Sequence, residues 1–177
     1  MSGPADLFDL CDELLAASVE ALDTIPDSAP ELAGSPERSF ISPGLPALDC
    51  CPQLTVHSSF VQDAATSPGG LSAGRKVAGK INQVSLVATI ARCIPVIDDS
   101  GTLPALADMQ AAAEQINADG WALWNHLYNL WLAGSLFDYC GEVFWEGLRP
   151  LTPQGGCAGW TLSLRVSLGG YQSVVSS

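Results

Sequence analysis

The stretch that decides the fold is residues 160–168, W-T-L-S-L-R-V-S-L. Large apolar side chains occupy every second position from Trp160 to Leu168, and Thr, Ser or Arg occupies the positions between them. Side chains alternate between the two faces of a β-strand, so this pattern predicts an amphipathic strand with one dry face and one wet face. Such a strand requires a sheet around it.

Four other stretches carry strand patterns. Residues 53–61 and 83–93 alternate apolar and polar side chains and are predicted to pair. Residues 142–151 form a strand that turns through P-Q-G-G into the Trp160 strand, which predicts a hairpin. A short strand is predicted at residues 38–42.

Two stretches carry helical periodicity instead. Residues 4–24 place apolar side chains at three- and four-residue steps with acids opposite, which predicts an amphipathic helix. A second helix begins near Pro104 and stops near Gly134. Gly120 in its middle either permits a close contact or divides the helix. Its predicted inward stripe is Leu106, Met109, Ala113, Ile116, Leu123, Leu127 and Trp131.

The order of these elements is helix, three strands, helix and two strands. It predicts an α+β fold, with a mainly antiparallel sheet flanked by an N-terminal helix and a long central helix. A length of 177 residues suits a single domain over residues 1–177. Flexible segments are expected near residues 26–37 and 63–80, and a loose C-terminal tail is expected at residues 170–177.

The glycine-rich loop at residues 63–80 is the most basic part of the chain. It contains Arg75, Lys76 and Lys80, which are three of the seven Lys and Arg residues. Exposed cations on an acidic protein complement acid on a neighbouring molecule and set the register of a contact. We therefore expect these three side chains to make inter-subunit contacts.

Composition narrows the class of protein. Charged residues are only 15% of the chain, against about 25% in an average domain, so part of the surface is expected to be covered by partners. A net charge of −12 argues against a nucleic-acid clamp, which neutralises phosphates with cations. It suits a surface along which DNA slides without binding, because like charges repel.

The start of the chain predicts where the protein is made. No basic start followed by an apolar run is present, so no secretory signal is predicted. No uncharged apolar stretch approaches the length of a membrane span. We therefore expect synthesis in a cytoplasm, where six cysteines are expected to be reduced.

Two short motifs point to bound groups, and each has a simpler interpretation. Residues 74–81, G-R-K-V-A-G-K-I, match most of a phosphate-binding loop, but Ile81 replaces the Ser or Thr that holds magnesium. A flexible basic loop explains them better. His57 joins the cysteines at positions 51, 93 and 157 in a metal site only if the fold gathers them, because no zinc-knuckle spacing is present. No metal and no cofactor is therefore predicted.

Catalytic groups are equally sparse. His57 and His126 are the only histidines, and no Gly-x-Ser-x-Gly motif surrounds any serine. An aromatic stripe of the central helix (Trp121, Trp124, Tyr128 and Trp131) fits a ligand pocket, a core or a subunit interface, and the last two are commoner uses of such rings. The expectation is that the protein is not an enzyme.

Three blocks of this sequence resemble head-to-tail connector proteins of actinobacterial tailed phages, and more narrowly the tail terminator family. They are residues 46–56 (PALDCCPQLTV), residues 91–95 (ARCIP) and residues 155–160 (GGCAGW) before the alternating strand. Their order and spacing carry the similarity from about Arg38 to Leu168. The blocks are short, and none is catalytic.

The resemblance implies an α+β subunit that forms a homo-oligomeric ring, a hexamer in this family. The ring caps the tail tube, binds the major tail tube protein and the head-tail stopper or connector, and lets genomic DNA pass through its lumen without specific binding. The implied location is the tail or neck of the virion. Two alternatives remain: another neck protein such as the head-tail stopper, typically a smaller β-barrel, or a small metal- or ligand-binding cytosolic domain.

Overall fold

The computed structural model describes residues 7–24, 34–46, 52–63, 82–97, 99–154 and 156–168. These ranges contain two helices and five strands in an α+β arrangement, as the sequence predicts. The helices are α1 (Leu7–Asp23) and α2 (Leu106–Leu132). The strands are β1 (Arg38–Ile41), β2 (Gln53–Asp63), β3 (Asn82–Cys93), β4 (Val143–Gln154) and β5 (Cys157–Leu168).

The five strands form one sheet in the order β1-β2-β3-β5-β4. Only β1 and β2 run parallel, and the other neighbours are antiparallel. The predicted hairpin is confirmed as β4 and β5, and the predicted pairing of residues 53–61 with 83–93 is confirmed as β2 and β3. One register row crosses the whole sheet through Ile41, Val56, Ala88, Leu162 and Leu148.

Both helices lie on the same face of the sheet and close a single core. The predicted dry side of the 160–168 strand is confirmed, because Leu162, Leu164 and Val166 are fully buried in this core. Alternate residues of β2 and β3 join them, and α1 adds Leu10 and Leu14 from its apolar stripe. Trp160 and Leu168, at the ends of the strand, are only partly buried.

The opposite face of the sheet is polar, but much of it is also buried. Thr55 is 0% exposed, His57 is 2% exposed and Thr89 is 4% exposed. The expectation of a wet face is therefore wrong for the central strands, although Thr161, Ser163 and Arg165 of β5 are half-buried. Alternation along a strand reports which side chains share a face, and it carries no information on what covers that face.

The outer edge of the sheet is unsuited to pairing with another strand. β4 contains Pro150 and Pro153, each of which lacks a backbone donor. A register shift between Trp145 and Gly147 bends the strand, and Gly147 has a φ of 115°. Prolines and bulges on an edge strand prevent sheet extension.

The predicted inward stripe of α2 is right in its second half and wrong in its first half. Leu123 and Leu127 are 0% exposed, whereas Leu106 is 83% exposed and Met109 is 46% exposed. The reason is an offset of the helix along the sheet. Gly120 of α2 lies against Trp160, near the start of β5, so the preceding residues of the helix run past the end of the sheet.

The end of α2 follows the predicted glycine stop. Gly134 has a φ of 66°, in the left-handed region that favours glycine. Its backbone N–H donates to the carbonyl of Trp131, and the N–H of Ser135 donates to the carbonyl of Leu130. This pair of bonds is a Schellman motif, which satisfies the last carbonyls of the helix.

Candidate functional site

An aromatic cluster joins the second half of α2 to the edge strand β4. Trp145 of β4 contacts Trp124 edge-to-face at 5.1 Å and Tyr128 at 5.5 Å between ring centroids. Trp131 donates its indole N–H to the carbonyl of Val143 at 3.0 Å. These rings are partly buried, so most of the predicted aromatic stripe serves the packing of α2 on the sheet.

A groove of about 400 Å³ opens beside this cluster, between α2 and the outer two strands. Its volume is within the range of ligand and side-chain pockets, about 300–1,000 Å³. Trp121, at its margin, is 66% exposed. The groove is lined by Asn117, Gly120, Trp121, Trp124, Leu148 and Trp160.

The groove exists because the helical layer is too narrow for the sheet. A helix is about 10 Å wide and strands are about 4.8 Å apart, so two helices cover about four strands. α1 packs on β1, β2 and β3, while α2 packs on β3, β5 and β4. The outer side of β4 is left without a helix of its own chain among the described residues.

Gly120 allows the Trp160 ring to pack against α2 at the base of the groove. A Cβ at this position would lie 2.6 Å from the indole nitrogen of Trp160. The glycine therefore lets the Trp160 ring lie directly against the helix, where its N–H donates to the carbonyl of Ile116 at 2.7 Å. Of the two predicted roles of Gly120, close contact is confirmed and helix division is wrong, because α2 is continuous.

A buried ion pair marks the place where α2 leaves the sheet. The guanidinium of Arg92 in β3 donates two hydrogen bonds to the carboxylate of Asp119, at 2.8 and 2.9 Å. The same guanidinium donates to the carbonyl of Gly34, and the amide of Gln115 donates to Asp119 at 3.1 Å. Burial raises the pKa of Asp119, and Arg92 and Gln115 oppose the rise. The carboxylate thus ties α2, β3 and the segment after α1 together.

Residues 106–118 of α2 project beyond this ion pair. We call this segment the projecting half; residues 119–132 are the packed half. No residue of the projecting half is fully buried. Its apolar side chains Leu106 and Met109 adjoin an exposed loop, in which Leu103 is 73% exposed. Its charged side chains, Asp108 and Glu114, are both acidic.

The structure does not test the basic residues that the sequence singles out. Arg75, Lys76 and Lys80 lie outside the described residues, as does the phosphate-loop-like motif at residues 74–81. Cys51 lies outside them as well. Among the described residues, no three His, Cys, Asp or Glu side chains come together as a metal site.

One cysteine corrects the expectation of reduced thiols. Cys157 is disulfide-bonded. Cys11, Cys93 and Cys140 are free. The cellular compartment sets only the redox environment of the cysteines. A disulfide also needs two Cα atoms within about 7 Å of each other, and the pattern of a single strand does not reveal that distance. A bonded Cys157 offers no thiolate to a metal.

Cys140, Cys11 and His57 have shifted pKa values, and the shifts of the two thiols disfavour nucleophilic chemistry. Burial and the nearby carboxylates of Glu13 and Asp138 raise the pKa of the Cys140 thiol to about 11. Burial also raises the pKa of Cys11 and lowers that of His57. A reactive cysteine needs the opposite shift, since the thiolate is the nucleophile.

Sequence reasoning missed the Arg92–Asp119 pair and the groove. One signal was present, because Asp119 lies three residues after Ile116 and four before Leu123, on the predicted inward stripe of the helix, and a buried acid requires a partner. The identity of that partner depends on the sheet register, which places Arg92 opposite Ala158 at the end of β3. The groove forms because two helices do not cover all five strands, and no local sequence pattern predicts how much of a sheet the helices cover.

None of the helices in the described ranges is long and apolar enough to cross a membrane. Comparison of the chain with protein-family models and with curated proteins finds no match.

Proposed function

We propose that this chain is the subunit of a phage tail terminator, a ring that caps the tail tube and joins it to the head-tail connector. The observation that carries the proposal is the projecting half of α2. Leu106 is 83% exposed and Met109 is 46% exposed on a helix segment that has little contact with its own sheet. A helix in water is stabilised mainly by packing its apolar side, so this segment calls for a second molecule.

The fold is consistent with that role. The terminator family implies an α+β subunit with helices packed on a sheet, and this chain has two helices on one face of a five-stranded sheet. The head-tail stopper is the alternative within the connector. It is typically a smaller β-barrel, and an open sheet with two helices fits it less well.

Charge supports a ring through which DNA passes. The chain carries a net charge of −12, and only seven of its 177 residues are Lys or Arg. Of these, Arg92 is held by Asp119 and Arg165 by Glu146, so neither offers a free cation to phosphate. An acidic lumen repels the DNA backbone and keeps the passage open.

A ligand-binding domain is the second candidate, and the aromatic groove is the observation that favours it. Trp121, Trp124 and Trp160 surround a space of about 400 Å³ with one amide, that of Asn117, as a polar group. A free small molecule that binds there would quench tryptophan fluorescence and leave the particle size unchanged. A tail terminator would form closed rings.

Negative-stain electron microscopy of the purified protein separates these candidates. The experiment compares the protein alone with the protein mixed with purified tail tubes. We expect closed rings alone or at the ends of the tubes. A protein that stays monomeric at high concentration with tubes present would contradict the proposal.

A further inference from the structure

We propose that Cys93 is a nucleophile for the disulfide of Cys157, and that the chain converts between two disulfide isomers. In the first isomer, which is the one in this structure, Cys157 is disulfide-bonded and Cys93 is a free thiol. In the second isomer, Cys93 and Cys157 are bonded to each other, and the original partner of Cys157 is a thiol. This exchange site lies in the sheet of a single subunit, so it does not depend on the proposed ring.

The sheet register places the two cysteines side by side. β3 and β5 are antiparallel neighbours, and Cys93, the last residue of β3, lies directly opposite Cys157, the first residue of β5. Just beyond this pair, the N–H of Ile94 donates to the carbonyl of Gly156 at 2.8 Å. Hydrogen-bonded and non-hydrogen-bonded pairs alternate along an antiparallel ladder. Cys93 and Cys157 are therefore a non-hydrogen-bonded pair.

The spacing of such a pair suits a disulfide. Opposite residues of a non-hydrogen-bonded pair have Cα atoms about 4.5 Å apart, and their side chains lie on the same face of the sheet. A disulfide joins Cα atoms that are about 4.4–6.8 Å apart. The backbone therefore needs no large rearrangement to hold a bond between Cys93 and Cys157.

The exposure of the two cysteines assigns a different role to each sulfur. Cys93 is exposed, so its thiol exchanges its proton with solvent. Cys157 is 2% exposed, so dissolved thiols have little access to its sulfur. Attack on a disulfide requires access as well as a thiolate. The neighbouring strand supplies that access to Cys93, because even a short flexible linker gives an effective concentration on the order of millimolar.

The exchange is balanced without an added oxidant or reductant. Cys93 loses its proton to water, and its thiolate attacks the sulfur of Cys157. The Cys93–Cys157 bond forms as the original bond of Cys157 breaks. The original partner leaves as a thiolate and takes up a proton. One disulfide is present before and after the step, and the number of thiols stays the same.

The two isomers differ in what the disulfide joins. The second isomer joins the ends of β3 and β5, which are already paired along their whole length. The link between β5 and the original partner of Cys157 is lost in that isomer. The exchange therefore replaces that link by a local one and releases a different thiol, without reduction of the protein.

Disulfide mapping tests the exchange directly. Wild-type protein with its disulfide intact is incubated at pH 8 in anaerobic buffer without added thiol, quenched with acid and digested with pepsin. We expect mass spectrometry to show a Cys93–Cys157 peptide that accumulates while the number of thiols stays constant. Cys93→Ser should keep the original disulfide of Cys157. Cys140→Ser is the matched control, because Cys140 is also a free thiol but lies outside the sheet, and this variant should exchange like the wild type.

A second variant tests the placement of the two cysteines separately. The mapping identifies the cysteine that is bonded to Cys157, and that cysteine is replaced by Ser. Oxidised glutathione, which accepts the two electrons, should then form the Cys93–Cys157 bond in this variant and leave Cys140 as a thiol. Failure to form this bond would overturn the placement on which the exchange depends.

The wild-type protein decides the exchange itself. If Cys157 keeps only its original partner after incubation, the exchange is wrong, even where the oxidised variant forms the bond. A link that appears only between two molecules, as a dimer on a non-reducing gel that increases with protein concentration, would also overturn it. None of these outcomes bears on the ring, which electron microscopy tests separately.

Discussion

The two halves of α2 share one helix and one apolar periodicity, yet they do opposite things. In the packed half, Leu123 and Leu127 are 0% exposed and lie in the core between α1 and the sheet. In the projecting half, Leu106 and Met109 occupy equivalent positions of the same stripe and face solvent. Periodicity thus identifies which side of a helix is apolar, and only the sheet decides which part of that side is buried.

The boundary between the halves is built from one ion pair and one close ring contact. Asp119 pairs with Arg92 of β3, and Gly120 admits the Trp160 ring against the helix. Both contacts fix the helix at one height on the sheet. The alanines of the projecting half, which have the highest helix propensity, help it stay helical without a partner.

The largest expected effect is a difference in folding stability between substitutions of one leucine from each half. Leu127→Asp buries an unpaired charge in the core and should abolish cooperative folding. Leu106→Asp should change the free energy of unfolding by less than about 0.5 kcal/mol, because the side chain is 83% exposed. Urea denaturation followed by circular dichroism checks both. Similar losses in the two variants would show that the projecting half is packed within its own subunit.

The next largest expected effect is a loss of stability when the ion pair at the boundary is broken. Asp119→Ala leaves the Arg92 guanidinium without its carboxylate in a site where that side chain is 16% exposed. Breaking a buried pair in this way typically costs about 3–5 kcal/mol. Asp108→Ala, on the exposed part of the same helix, is the matched control and should cost less than about 0.5 kcal/mol. Equal and small losses in urea denaturation would mean that the pair contributes little to holding α2.

A smaller effect is expected at the close contact. Gly120→Ala places a methyl group 2.6 Å from the Trp160 indole nitrogen, so overpacking should outweigh the gain in helix propensity and cost about 1–2 kcal/mol. In a Trp160→Leu background the same substitution should instead stabilise the protein. A double-mutant cycle of unfolding free energies measures the coupling. If Gly120→Ala destabilises the wild-type protein and the Trp160→Leu variant equally, the contact with Trp160 is not the cause of the destabilisation.

The smallest expected effect is a slow alkylation of Cys140, which lies in the turn after the packed half. Glu13 of α1 accepts a hydrogen bond from the backbone N–H of Phe137, which holds this turn and places Cys140 near the Glu13 carboxylate. The pKa of Cys140 is raised to about 11, so its thiol should resist iodoacetamide at pH 8, whereas the exposed Cys93 should react. Peptide mapping after alkylation reports each residue separately.

The pH dependence of that reactivity has a definite sign. The raised pKa of Cys140 means that the folded state favours the protonated thiol. The protonated thiol therefore contributes its full stabilisation below the ordinary pKa of 9.0, and this stabilisation is lost as pH rises towards about 11. Cys140 should therefore become reactive, and the turn less stable, only at alkaline pH. Fast alkylation of Cys140 at pH 8 would contradict the placement of this turn.

Local patterns were enough to predict the fold class. The hairpin of β4 and β5, the pairing of β2 with β3 and the glycine stop of α2 all depend on short stretches of sequence. The parallel pairing of β1 and the offset of α2 could not be predicted, because each depends on contacts between distant segments. The candidate groove depends on both the offset and the strand order, so no residue pattern identifies it. The basic residues at positions 75, 76 and 80 remain a prediction.

Hydrogen–deuterium exchange along α2 tests the central comparison most directly. In the free subunit at low concentration, we expect amides of residues 106–118 to exchange quickly and those of residues 120–132 to be protected by the core. In the assembled protein, both halves should be protected. Equal protection of the two halves in the free subunit, or a projecting half that still exchanges quickly after assembly, would contradict the account.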